Sequence, residues 1–141
     1  MILSNKGRQL LEGREGCKLY VYHDIRGLAT IGYGHLIKAG EHFTTLTQAQ
    51  ADDLFKQDVG IYVDNLNSVL DPSVKLTQDQ FDALVSFSFN IGIGGLNHST
   101  ALREVNAGIL DGVGSAMMMW VKPTALISRR EEEVEQFYSK I

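Results

Sequence analysis

Apolar and polar positions along this chain change rhythm near residue 46. Before that point, apolar residues come in short runs cut by glycines. After it, they recur at helical spacing. Residues 4–14 read as a short amphipathic helix whose apolar side carries Leu10 and Leu11, with Gly13 and Gly16 crowding its end. Residues 18–22 and 28–33 are rich in aromatic and β-branched types. The polar stretch Asp24-Ile25-Arg26-Gly27 separates them, which predicts a β-hairpin. Gly32, Gly34 and Gly40 extend this into a small, bent sheet ending near Phe43.

Thr47 and Gln50 then form a capping-box pattern. The helix they open carries Leu54, Phe55, Val59, Tyr62, Val63 and Leu66 near helical spacing, and Asp71-Pro72 ends it. Thr77 and Gln80 are a second capping box. Residues 81–91 that follow are apolar on most sides and predict the central buried helix. The glycines of residues 92–95 predict a break. Further helices are expected at 99–106, 110–120 and 126–138. The result is an α+β fold. A small lobe (about 1–46) holds the sheet, a long helix (about 47–70) connects, and a helical lobe (about 71–141) follows. A cleft between two such lobes suits an extended polymer.

Composition narrows the classes. The 141 residues are 44 % apolar and 21 % charged, a globular balance that can bury a core without staples. Cys17 is the sole cysteine, so no intramolecular disulfide can form, which fits synthesis in a reducing compartment. A net charge of −4 argues against nucleic acid as a partner. The amino-terminal residues turn polar at once, so neither a signal peptide nor a membrane anchor is expected.

Glu15 falls where the first helix gives way to the hairpin, Asp24 at the hairpin turn, and Thr30 in the returning strand. Two carboxylates and a hydroxyl on one wall suit glycosidic cleavage. One acid protonates the leaving oxygen, and the other handles a water or attacks the anomeric carbon. The acid needs a raised pKa, which a helix end facing a partly closed cleft supplies. By residue type alone each has a plainer reading: a solvated helix-end charge, an Asx-turn residue, an ordinary strand residue.

The stretch from Glu15 to His35 resembles the active-site segment of the phage-type lysozymes, the T4-like and P22-like endolysins of glycoside hydrolase family 24. That pattern is a glutamate, eight residues, an aspartate, five residues and a threonine, then a glycine-hydrophobic-glycine-histidine tail. Glu15, Asp24 and Thr30 keep the spacing, and Gly32-Tyr33-Gly34-His35 supplies the tail. Phe89-Asn90-Ile91-Gly92, Ser99-Thr100-Ala101-Leu102-Arg103, Trp120, and Arg129-Arg130 with Glu133 and Phe137 resemble further family segments. The chain departs from the family in a short linker of residues 121–128, where Ala125-Leu126 replaces a glycine-rich turn, and in the run Met117-Met118-Met119.

The resemblance implies a lysozyme-like fold and a muramidase cutting the β-1,4 bond between N-acetylmuramic acid and N-acetylglucosamine in peptidoglycan. Glu15 would be the general acid. Asp24 and Thr30 would position and activate the water, with inversion as in T4-like members. Leu36 and Phe89 would line the sugar cleft, although Phe89 reads equally as core. Asn90 would tie off its helix, His35 would brace the lobe junction, and Trp120 reads as core. Arg129 would reach Glu15. A cation there favours the carboxylate, the opposite of what a general acid wants, unless bound substrate weakens the pair. No metal or cofactor is expected.

The implied biology is a monomeric phage endolysin, made in the host cytoplasm and released to the wall by a separate membrane-permeabilising protein. Rival readings are a lytic transglycosylase, a chitin-cleaving enzyme and a non-catalytic wall-binding module. A transglycosylase positions no water, so it leaves Asp24 and Thr30 without a task.

Overall fold

The computed structural model describes residues 1–139. The α+β expectation holds: a small antiparallel sheet is followed by helices. The chain divides into two compact units. One is Gln9–Ile61. The other is Met1–Arg8 together with the chain from Tyr62 on. The chain passes from one to the other within α1 (Asn5–Glu15) and again within α2 (Gln48–Val69).

In the unit Gln9–Ile61, strands β1 (Lys18–His23), β2 (Ala29–Gly32) and β3 (His35–Leu36) pair in that order. The register sets Tyr22 opposite Thr30 and Thr30 opposite Leu36, with a bulge in β1 between Lys18 and Tyr22. Side chains directly opposite share a face of the sheet. Tyr22, Thr30 and Leu36 therefore stand in one row across all three strands. The other part of the unit is a core of Leu11, Ile31, Ala51, Phe55 and Val59. The expected capping box opens α2: Thr47 Oγ1 accepts from the Gln50 N–H at 3.1 Å, and Gln50 Oε1 accepts from the Thr47 N–H at 2.9 Å.

In the second unit, α3 (Gln78–Ile91) is the buried helix that its all-round apolarity predicts, and its Thr77–Gln80 capping box is complete. It packs chiefly against α7 (Ile127–Phe137). Phe81, Leu84, Phe87, Leu96, Val105, Met117 and Phe137 fill the core. Ser4, at the start of α1, donates its N–H to Asp82 Oδ1 at 3.1 Å and its hydroxyl to Oδ2. Gly7 leaves no room there for a Cβ, which would strike the Asp82 carboxyl.

Three elements differ from expectation. The break at residues 92–95 ends α3 at Gly92, whose φ is 92°, but the chain at once forms another helix, α4 (Ile93–Asn97). Gly95 serves packing: a Cβ there would sit 3.2 Å from the Trp120 ring. After α5 (Thr100–Asn106), α6 (Leu110–Met117) stops before Trp120. The short linker holds a 3₁₀ turn at Thr124–Leu126. Of the methionine run, Met117 is buried whereas Met119 is exposed.

Candidate active site

Helix α1 ends where it does because of Gly16. This residue takes φ +68° and returns its N–H to the Glu12 carbonyl at 3.0 Å, a left-handed stop that favours glycine. Glu15 is thus the last helical residue. Its carboxylate lies against the β2–β3 turn, and a Cβ built on Gly34 would stand 3.6 Å from Glu15 Oε1.

The hairpin turn is closed by the Asp24 N–H donating to the Leu28 carbonyl (3.0 Å) and the Gly27 N–H to the Asp24 carbonyl (2.8 Å). Asp24 Oδ1 accepts from the Arg26 and Leu28 N–H groups at 2.9 and 3.0 Å. Asp24 is therefore an Asx-turn residue, as its type suggests, with a half-buried carboxylate. The Leu28 N–H, and then the Arg26 guanidinium and N–H, outweigh desolvation and hold that carboxyl below the usual range. Thr30 is 2 % exposed and donates its hydroxyl to the Leu28 carbonyl at 2.8 Å. One residue, Leu28, thus ties Asp24 and Thr30 together.

Residue-by-residue reading did not single out Tyr22. It faces Thr30 across the ladder, and Lys18 Nζ lies 4.4 Å above its ring. Burial pushes its phenol up, and the charges of Asp24 and Glu15 push it further. Tyr22 therefore lies within electrostatic reach of both carboxylates. The available signal was its period of two from Asp24 in a β-strand. Leu36 completes the row and is 39 % exposed.

Around this row the unit is braced by polar contacts. His35 Nδ1 is 2.8 Å from Asp58 Oδ2 on α2, and Nε2 is 3.0 Å from Glu41 Oε1. Tyr33 donates its hydroxyl to Asp52 at 3.1 Å, and Gln48 donates to both. Burial, followed by the Glu12 and Asp52 carboxylates, pushes the Tyr33 phenol well above its ordinary value. Burial also raises the Cys17 thiol, which disfavours the reactive thiolate. Among the described residues, no cluster of His, Cys, Asp or Glu could hold a metal ion.

Known proteins are similar to this chain. The family model described as phage lysozyme matches residues 12–133. This chain belongs to the phage lysozyme family. It is 34 % identical to an endolysin of Bacillus phage B103 over 94 % of its length and 52 % of that relative's. It is 35 % identical to the endolysin of Salmonella phage P22 over 99 % of both chains. The chain spans about half the length of the Bacillus phage relative. The muramidase domain of SpmX from Asticaccaulis excentricus superposes with a TM-score of 0.89, at 33 % identity and 99 % coverage of both.

The other segments that resemble the family lie in the second unit. Phe89 is half-buried, its ring 4.9 Å from that of Tyr62. Asn90 ties the end of α3 to α7 by accepting from Arg130. Arg130 is fully buried, donates to the Trp120 carbonyl at 2.9 Å and pairs with Glu133. Glu133 also accepts from Ser86 and, at 3.2 Å, from Arg129 Nε, while Arg129 Nη2 donates to the Ser86 carbonyl. Sequence reading gave a role to Arg129 and named Arg130 only as part of a family-like segment, although Arg130 is the fully buried one.

Proposed function

We propose that this chain is an endolysin muramidase. It hydrolyses the β-1,4 bond between N-acetylmuramic acid and N-acetylglucosamine in bacterial peptidoglycan. Glu15 is the general acid that protonates the glycosidic oxygen. Asp24 accepts a proton from the attacking water. Thr30 spends its hydroxyl proton on the Leu28 carbonyl, so its oxygen is left to accept a hydrogen bond from that water. The observation that carries this reading is the linkage of Asp24 and Thr30 through the backbone of Leu28, on the unit where Glu15 abuts Gly34. The names endolysin and muramidase domain, borne by relatives over most of this chain, support it.

Leu36 and Phe89 serve as sugar contacts. The chain is made in the host cytoplasm, acts as a monomer, and reaches the wall after a separate protein permeabilises the membrane. No helix among the described residues is long and apolar enough to cross a membrane itself.

The test is a reducing-end assay on purified peptidoglycan with wild type, Glu15→Gln and Asp24→Asn in parallel. Wild type releases reducing ends. Glu15→Gln is essentially inactive, and Asp24→Asn loses about a hundredfold or more, the scale of general acid–base contributions. Anhydro-muramic ends in the products would mean transglycosylation instead. A wild type inactive from pH 4 to 8 would leave a wall-binding module.

A further inference from the structure

The two oxygens of the Asp24 carboxylate are held by different parts of the chain. Oδ1 takes backbone N–H groups, from Arg26 and Leu28. Oδ2 takes the Arg26 guanidinium, with Nη2 at 3.1 Å and Nε at 3.3 Å. The turn itself closes through backbone bonds that do not involve that side chain. The arginine is 63 % exposed, so the ion pair is screened and adds little to stability. What the guanidinium does fix is Oδ2, and it adds to the Leu28 N–H, the larger influence, in favouring the ionised carboxyl.

The other ionisable neighbours do not do this. Tyr22, on β1, feels the Asp24 charge as a neutral phenol, and Glu15 bears on that same phenol. His23 precedes Asp24 and is exposed. Lys18 lies over the Tyr22 ring.

We infer that Arg26 is a positioning residue for the reaction: its guanidinium holds Asp24 Oδ2 and so aims the carboxylate at the water. This rests on the muramidase reading of the site. An arginine differs from a lysine here because its planar fork presents two N–H groups to one carboxylate edge.

The experiment compares wild type, Arg26→Gln and Arg26→Lys. Steady-state kinetics on peptidoglycan across pH 3–8 are paired with a carbon-13 NMR titration of the Asp24 carboxyl. In Arg26→Gln, kcat falls about tenfold with little change in KM, the effect of a loosened reacting group. The acid limb of the pH profile moves to higher pH, and the Asp24 carboxyl titrates higher with it. Arg26→Lys restores the acid limb and only part of kcat, since the charge returns without the fork. A glutamine variant whose pH profile and titration both superimpose on wild type overturns the inference. The two failures can be told apart. Wild type that releases no reducing ends removes the muramidase reading, whereas an unchanged Arg26→Gln beside an inactive Asp24→Asn removes only the role of Arg26.

Discussion

The Leu28 carbonyl accepts twice, from the Asp24 N–H and from the Thr30 hydroxyl. Replacing Thr30 by valine keeps the β-branched shape and takes away one of these bonds, while the carbonyl keeps the other. The expected cost to folding is therefore that of one hydrogen bond, about 1 kcal/mol. Activity should drop far more, by about a hundredfold, because the water loses a fixed acceptor. Melting and reducing-end release, measured together, separate the two. Equal and modest losses in both would make Thr30 a strand residue and nothing else. Asp24 shows why residue type alone left the site open. Its Asx-turn bonds and its place beside Thr30 are both real, and they employ the same carboxylate. Only the spacing across the hairpin distinguishes it from the many aspartates that merely close turns.

At the scale of elements, His35 joins β3 to α2 and to the segment that follows β3. Burial alone would lower its pKa, but the contacts with Glu41 and Asp58 outweigh burial, and the net shift is upward. Folding therefore stabilises the charged ring. That stability is fully present below the unfolded histidine value of about 6.5 and fades as pH rises through the higher folded value. Glu41 is shifted down, chiefly by the Lys38 N–H and then by His35. Its share is present above the ordinary carboxylate range and is lost as pH falls through its folded value. Melting temperatures of wild type and His35→Gln should differ most near pH 5–6 and converge toward pH 9, about where both groups have passed their transitions. A difference independent of pH would show that the ring is neutral in the fold. The elements themselves were legible wherever the signal was local. Thr47–Gln50 and Thr77–Gln80 are sequence patterns that cap their own helices. Helix α4 was not legible, because paired glycines signal a break, and the close approach of the Trp120 indole to Gly95 comes from some 25 residues on. The burial of Arg130 and its bond to Asn90 are likewise decided by the packing of α3 on α7, whereas Glu133 lies three residues on along the same helix.

At the scale of the whole molecule, the decisive element is α2. Phe55 and Val59 belong to the core of one unit, and Leu66 to the core of the other. The chain passes between units at Ile61–Tyr62, and Gly60 stands just before that step, inside the helix. A Cβ at Gly60 would meet nothing within 4 Å. Glycine there is thus a choice the packing does not require, and it weakens the helix where the two cores share it. Gly60→Ala should stabilise the protein by about 0.5–1 kcal/mol through helix propensity. Gly60→Pro deletes a helical N–H and crowds the preceding turn, costing about 3 kcal/mol. The consequence for cooperativity is sharper than either number. The unit Gln9–Ile61 is small, and domains of about 60 residues bury too little surface to be robust alone. It should gain from a helix that is folded at both ends. Calorimetry of wild type and Gly60→Ala should then show one transition, with the enthalpy ratio of a two-state process. In Gly60→Pro the hairpin unit should melt first, as a separate event at lower temperature. A single transition in the proline variant, merely shifted, would mean that α2 does not carry the coupling.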